Sequence, residues 1–270
     1  MYARFNLHIV DYIAEVVINR IDKANALDRQ AWNEMRDIFV TLSQLSDVRV
    51  VILRGQGKHF CSGIDISLLS SIQQQLQSIS ADEGRRREQL RRLVLDLQAC
   101  INVIEQCEKP VLAAIHGGCI GAGVDIACAT DMRYCTESTV FCIREIDMGM
   151  VADLGTLQRM PKLIAPGMVA ELAYTGRNMT GAEAAASGFV NRCFASEEEM
   201  LAGVRETARQ IAAKSPLGIR GTKEMLRYTR DHSTADALNY IATWNAAMLL
   251  STDLQEAMMA QMQKRQPLFE

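Results

Sequence analysis

Apolar and polar positions alternate along residues 4–9 and 12–19 (RFNLHI, YIAEVVIN), and the Asp-Tyr pair between them predicts a β-hairpin. The following loop, IDKANALD, ends in Asp28, a residue suited to capping a helix over 29–46. VRVVILRG (48–55) is short, continuous and β-branched, the pattern of a fully buried strand. Helical spacing returns over about 83–107, and PVLAAIHG (110–117) is a second buried strand. GAGVDIACA (121–129) has the length of a helix that starts straight after a glycine turn. Two short strands at 133–137 and 139–143 precede helical stretches at about 154–163, 167–176 and 181–187, then a strand at 189–194. From Ser196 onward the strands stop: residues 197–265 are rich in Ala, Glu, Met and Gln at helical spacing. Pro216 and Asp231-His232-Ser233 punctuate them into three or four helices.

Strands alternating with helices predict an α/β fold with a mainly parallel sheet. The recurring order ββα, with short strands, differs from the regular βαβ of a doubly wound sheet. A boundary near residue 200 separates a β/α core (1–200) from a helical region (201–270). The apolar positions of that region, Leu226, Ala237, Leu238, Trp244 and Met248, need a surface to pack on. Either the core or a partner subunit would serve.

A chain of 270 residues with 49% hydrophobic and 23% charged positions is globular in composition, and this length buries roughly 70–75% of its unfolded surface. The net charge of −3 provides no overall field to gather a polyanion, so nucleic acid is not an expected partner. No apolar stretch approaches the ~20 residues that cross a bilayer, so no membrane partner is expected either. The eight cysteines form no Cys-x-x-Cys pair and sit mostly in apolar runs, which reads as buried hydrophobes in a reducing compartment. The first twenty residues lack a basic and apolar leader pattern, and QPLFE is not a peroxisomal address. The expectation is a soluble cytoplasmic protein.

Two glycine turns follow buried strands. Gly121-Ala122-Gly123 opens a helix, where free amides and the helix dipole meet negative charge. GCIGAG lacks the G-x-G-x-x-G spacing of a dinucleotide fold, and a plain tight turn remains open. His59-Phe60-Cys61-Ser62-Gly63-Ile64-Asp65 is the second. Two such turns converging on one oxygen are what stabilising an enolate or tetrahedral oxyanion requires; two ordinary loops are the alternative. Three acids then stand in apolar surroundings: Asp125 one turn into the helix, Glu145 after a strand, and Asp153 in MGMVADLGT. Burying an unpaired carboxylate is costly or raises its pKa. Pairing with Arg133, Arg144 or Arg159 would explain any one of them, whereas all three together point to a site. The four histidines are scattered without ligand spacing, so no metal is expected. Arg85, Arg86, Arg87, Arg91 and Arg92 read as a solvated helix face.

FCSGIDISLL (60–69) and HGGCIGAGVDIACATDMRYC (116–135) resemble the two oxyanion turns of the crotonase, or enoyl-CoA hydratase/isomerase, superfamily. Within it, REIDMGMVADLGTLQRMPKLI (144–164) and TRDHSTADALNYIATWNAAML (229–249) are similar to the dienoyl-CoA isomerase branch. The resemblance runs from about residue 6 to 260. It implies a spiral ββα core with a C-terminal helical region that builds trimers, often paired as hexamers. It also implies an acyl-CoA thioester substrate held by the amides of Ile64 and Ala122, where many relatives carry Gly at the second place. Coenzyme A then enters as part of the substrate near Ala24, Ser62, Asp65 and Ile66, with no separate cofactor.

The activity so implied, shifting a 3,5-diene to a 2,4-diene, removes a proton at C2 and delivers one at C6, so two groups must titrate. Asp153 is assigned to C2 and Glu145 to C6, with Asp125 orienting or relaying. A hydratase or other acyl-CoA enzyme of the same fold is the alternative, and a non-catalytic acyl-CoA or protein-binding member is the third.

Overall fold

The computed structural model describes residues 2–78 and 82–269. Its elements are β1 (Phe5–Val10), β2 (Ile13–Ile18), α1 (Arg29–Gln44), β3 (Val50–Gly55), α2 (Ile66–Ser78), α3 (Glu83–Gln106), β4 (Val111–Ile115), β5 (Gly118–Ile120) and α4 (Ala122–Ala129). There follow β6 (Met132–Thr136), β7 (Val140–Cys142), α5 (Thr156–Arg159), α6 (Pro166–Thr175), β8 (Met179–Thr180), α7 (Gly181–Ala186), β9 (Arg192–Phe194), α8 (Glu197–Ala212), α9 (Pro216–Tyr228), α10 (Thr234–Met248) and α11 (Thr252–Met262). The predicted cap is present: Asp28 Oδ1 accepts from the Ala31 amide at 2.8 Å.

Six strands form one sheet in the order β1-β2-β3-β4-β6-β9, and β5-β7-β8 form a smaller one. All pairs of the large sheet are parallel except the β1–β2 hairpin. The chain winds between the sheets: β4 lies in the large one, β5 in the small one and α4 follows; β6 and β7 repeat the step before the next helices. The strands of three and two residues, β5 and β8, are missing from the sequence prediction because neither reaches the four or more residues over which alternation can be counted.

The central strands are apolar throughout because both faces are covered. Val51, Leu53, Val111, Ala113 and Ile115 join a core with α1, α3 and α4. Val50, Ile52, Leu112 and Ala114 face Met200, Val204, Ala208 and Ala212 of α8. Residues 201–212, grouped from sequence with the C-terminal helices, thus seal the second face of the sheet, and the boundary at 200 falls inside this helix. Beyond it packing thins: α10 buries no residue fully and α11 only Ala260.

Candidate active site

The two glycine turns meet. Cys61 and Cys119 form a parallel bridge, with the Cys61 amide donating to Gly118 O at 3.1 Å and the Ile120 amide to Cys61 O at 2.9 Å. Gly63 has φ +97°, and a Cβ there would stand 3.0 Å from Ile120 O and 3.6 Å from the Ala122 nitrogen. A Cβ on Gly123 would stand 2.8 Å from Cys61 O. Glycine is therefore required for the turns to come this close. Leu27 bonds Gly63 O and the Asp65 amide, so the Ile64 amide between them faces away from Leu27. Ala122 is the first residue of α4 and has no preceding carbonyl within the helix. Among the described residues, neither the Ile64 nor the Ala122 amide has a hydrogen-bond partner.

The three acids gather beside these turns. Asp125, 1% exposed, accepts at Oδ1 from the Thr156 amide and hydroxyl, both at 2.7 Å, while its Oδ2 has no partner. Burial pushes its pKa up to about 6 against the opposing pull of the Thr156 bonds. Glu145 sits in a 3-10 turn, Arg144–Met148, with Oε1 3.2 Å from where a Gly121 Cβ would be and Oε2 unpartnered. Burial and the nearby charges of Asp125 and Asp153 raise it to about 7. Asp153 is more exposed, yet burial of its carboxyl also shifts it upward.

None of the arginines that could have neutralised these acids does so. Arg133 donates to the carbonyls of Phe189 and Thr130, Arg144 pairs with Asp147, and Arg159 pairs with Glu105. The exposed arginines of α3 include Arg85, Arg87 and Arg92, paired with Asp82, Glu83 and Glu88, as expected of a solvated face.

Arg159 has a different task. Its guanidinium donates to Glu105 Oε2 and Asn102 Oδ1 on α3, and a Cβ on Gly155 would stand 1.9 Å from its Nη1. It lies across the Asp153–Thr156 loop and ties it to α3. Thr156, Gly155 and this tether were not among the residues singled out from sequence. The Gly-Thr pair after Asp153 was the available signal, since Gly155 N-caps α5 at φ +128°.

The residues expected around coenzyme A also cluster. The Ser62 amide donates to Ala24 O at 3.1 Å, and Ala24 is left-handed at φ +49°. Buried Asn25, overlooked in the sequence, holds this loop: its Nδ2 donates to Gln56 O and His59 O, and its Oδ1 accepts from the Arg20 amide. The Asp65 carboxylate is occupied by Ser67 and Arg20, which lower its pKa to about 2. Its backbone is engaged as well, the amide with Leu27 O and the carbonyl with the Leu68 amide, so Asp65 shapes this segment and offers no free polar group of its own. Ile66 is 68% exposed.

Comparison with known proteins shows the family. The family model for enoyl-CoA hydratase/isomerase matches residues 9–270. The chain is 49% identical over 257 residues to the peroxisomal Delta(3,5)-Delta(2,4)-dienoyl-CoA isomerase of Arabidopsis thaliana, covering 95% of this chain and 92% of that protein. It is 44% identical over 250 residues to the mitochondrial Delta(3,5)-Delta(2,4)-dienoyl-CoA isomerase of Homo sapiens, covering 92% of this chain and 76% of that protein. Among solved structures, a putative enoyl-CoA hydratase from Streptomyces coelicolor A3(2) superposes with a TM-score of 0.89 at 28% identity, covering 100% and 95% of the two chains. The cytoplasmic expectation is corrected by these relatives, which are named peroxisomal and mitochondrial. Compartment is set by receptor-read addresses, which leave no trace in composition or in buried cysteines.

Proposed function

The chain belongs to the enoyl-CoA hydratase/isomerase family, with its crotonase fold, and from that premise we propose that it converts 3,5-dienoyl-CoA thioesters to 2,4-dienoyl-CoA. The carrying observation is a third acid, Asp153, beside two buried carboxylates that each keep one oxygen unpartnered, in a chain half identical to a named dienoyl-CoA isomerase. The thioester oxygen accepts from the amides of Ile64 and Ala122. A carboxylate removes a C2 proton, the electron pair moves through the conjugated dienolate, and a carboxylic acid delivers a proton at C6. One proton leaves and one arrives, so the chemistry calls for no cofactor beyond the coenzyme A of the substrate.

Glu145 acts at C2 and Asp153 at C6, the reverse of the order read from sequence. What supports the reversal is the contact of Glu145 with Gly121, one residue from the Ala122 amide at the thioester end. Asp153 instead lines a cavity between α3 and α5. Mutual repulsion keeps one acid protonated while another is ionised; position sets which end each serves, since burial alone would leave Glu145 the more readily protonated. Asp125, bonded to Thr156 in the same loop, orients or relays. Coenzyme A lies against the Ala24, Ser62, Asp65 and Ile66 segment.

The assembly is a trimer or a multiple of three. Support comes from the C-terminal helices, where Leu226, Leu238 and Met262 remain 65%, 63% and 83% exposed. Sedimentation as a monomer at micromolar concentration overturns this assignment. The activity is tested by ultraviolet assay of the purified protein on 3,5-dienoyl-CoA and 2-enoyl-CoA side by side. Growth of the 2,4-dienoyl chromophore is expected; faster hydration of the 2-enoyl substrate overturns the reading.

A further inference from the structure

The cavity that Asp153 lines has a volume of about 440 Å³ and an ionic wall. Glu105 is a single carboxylate between two guanidiniums: Oε2 accepts from Arg159 Nε and Nη2 at 3.0 and 2.8 Å, and Oε1 from Arg230 Nη1 at 2.5 Å. Lys162 and Asp231, on the same wall, pair with each other. The group of Glu105 with its two arginines therefore carries one positive charge in excess. Arg230 holds most of it available, since Nη1 is its only guanidinium nitrogen with an acceptor among the described residues. A methyl-ended chain pressed against such a wall would strip water from these donors and give nothing back.

We propose that this cavity receives the distal end of an acyl chain terminating in a carboxylate, which pairs with Arg230. The substrates are then dienoyl-CoA thioesters of dicarboxylic acids. The proposal rests on the isomerase reading above: a chain held by its thioester at Ile64 and Ala122 and protonated at C6 by Asp153 continues into the space that Asp153 borders. While Asp153 holds the proton that C6 receives, it adds no negative charge beside the incoming anion. Charge-assisted, two-pronged pairing is what a guanidinium with spare donors offers a carboxylate, and a site built for it discriminates strongly against a chain lacking it.

The test is kcat/KM on two 3,5-dienoyl-CoA substrates of equal chain length, one ended by methyl and one by carboxylate, for the wild type and Arg230→Gln. The wild type is expected to prefer the carboxylate about tenfold or more. Arg230→Gln should remove that preference, slowing the carboxylate-ended substrate, which loses its partner, and speeding the methyl-ended one, which no longer desolvates the guanidinium. Wild-type preference should also shrink with added salt, a readout that does not depend on the variant folding. Preference for the methyl-ended chain, or a carboxylate preference indifferent to Arg230→Gln or to salt, overturns the proposal while turnover of either substrate upholds the isomerase. Turnover of neither overturns both.

Discussion

Asp28 and Asp65 lie beside the first glycine turn, Asp125 and Glu145 beside the second, and the two pairs have opposite fates. Asp28 accepts from the Ala31 amide and from Arg4, with Arg20 3.5 Å away; Asp65 accepts from Arg20 and Ser67. Every one of those carboxylate oxygens is engaged, and the Asp65 pKa falls to about 2. Asp125 and Glu145 each keep an oxygen without a partner and rise to about 6 and 7. The same residue types therefore serve two ends. Partnered acids fix the loop geometry that brings the amides together, while unpartnered acids retain a proton that can move at neutral pH.

The contrast is tested hardest by removing the unpartnered acids. Glu145→Gln is expected to lower kcat by about 10²–10⁴ and to abolish exchange of the C2 proton with deuterated solvent. Asp153→Asn should lose isomerisation to a similar extent yet retain C2 exchange. The opposite pattern of exchange restores Asp153 at C2. Binding of an unreactive acyl-CoA should survive in both, because backbone amides hold the thioester; near-wild-type turnover in both would make these acids structural and collapse the distinction.

Removing the partner on the other side should act on stability instead. The Arg20 side chain is 13% exposed and serves both Asp28 and Asp65. Arg20→Gln leaves part of that charge uncompensated, at a cost of about 2–3 kcal/mol seen as a fall in the urea midpoint. The folded fraction should keep its pattern of C2 exchange. A variant as stable as wild type would mean that the pairing does not brace the first turn.

How much of this contrast could be read from the chain depends on the range of the interactions. The hairpin, the Asp28 cap and the two glycine turns are written in neighbouring residues and are found where the pattern places them. The three acids are visible as charges in apolar runs. Their state is not visible, because it is set by distant contacts: Thr156 reaches Asp125 from 31 positions away, and Arg20 reaches Asp65 from 45. The same holds for β5, whose three residues gain strand geometry only by pairing with β7 and bridging to Cys61. The tether from Arg159 to α3 spans 54 positions and carries no local signature.

The smallest expected effect separates the two pairs by the sign of their pH dependence. Asp125 has its folded pKa raised, from 3.8 to about 6, so the folded state binds a proton more tightly than the unfolded chain. Its contribution to stability is complete below about pH 4 and is lost as pH rises through about 6. Glu145 acts in the same direction, through about 7. Asp65, lowered from 3.8 to about 2, contributes above about pH 4 and loses that contribution as pH falls toward 2. Asp125→Asn keeps an oxygen for the Thr156 amide and hydroxyl and removes the charge that becomes buried above pH 6. It places an amide donor where Oδ2 had no partner, which offsets part of the gain. The variant should therefore be about 1–2 kcal/mol more stable than wild type at pH 8 and no more stable at about pH 4.5, by urea denaturation at fixed protein concentration. Its stability curve should flatten between these pH values. A variant less stable than wild type at pH 8 would show that the ionised Asp125 is compensated in the folded protein, placing it with Asp28 and Asp65 among the bracing acids.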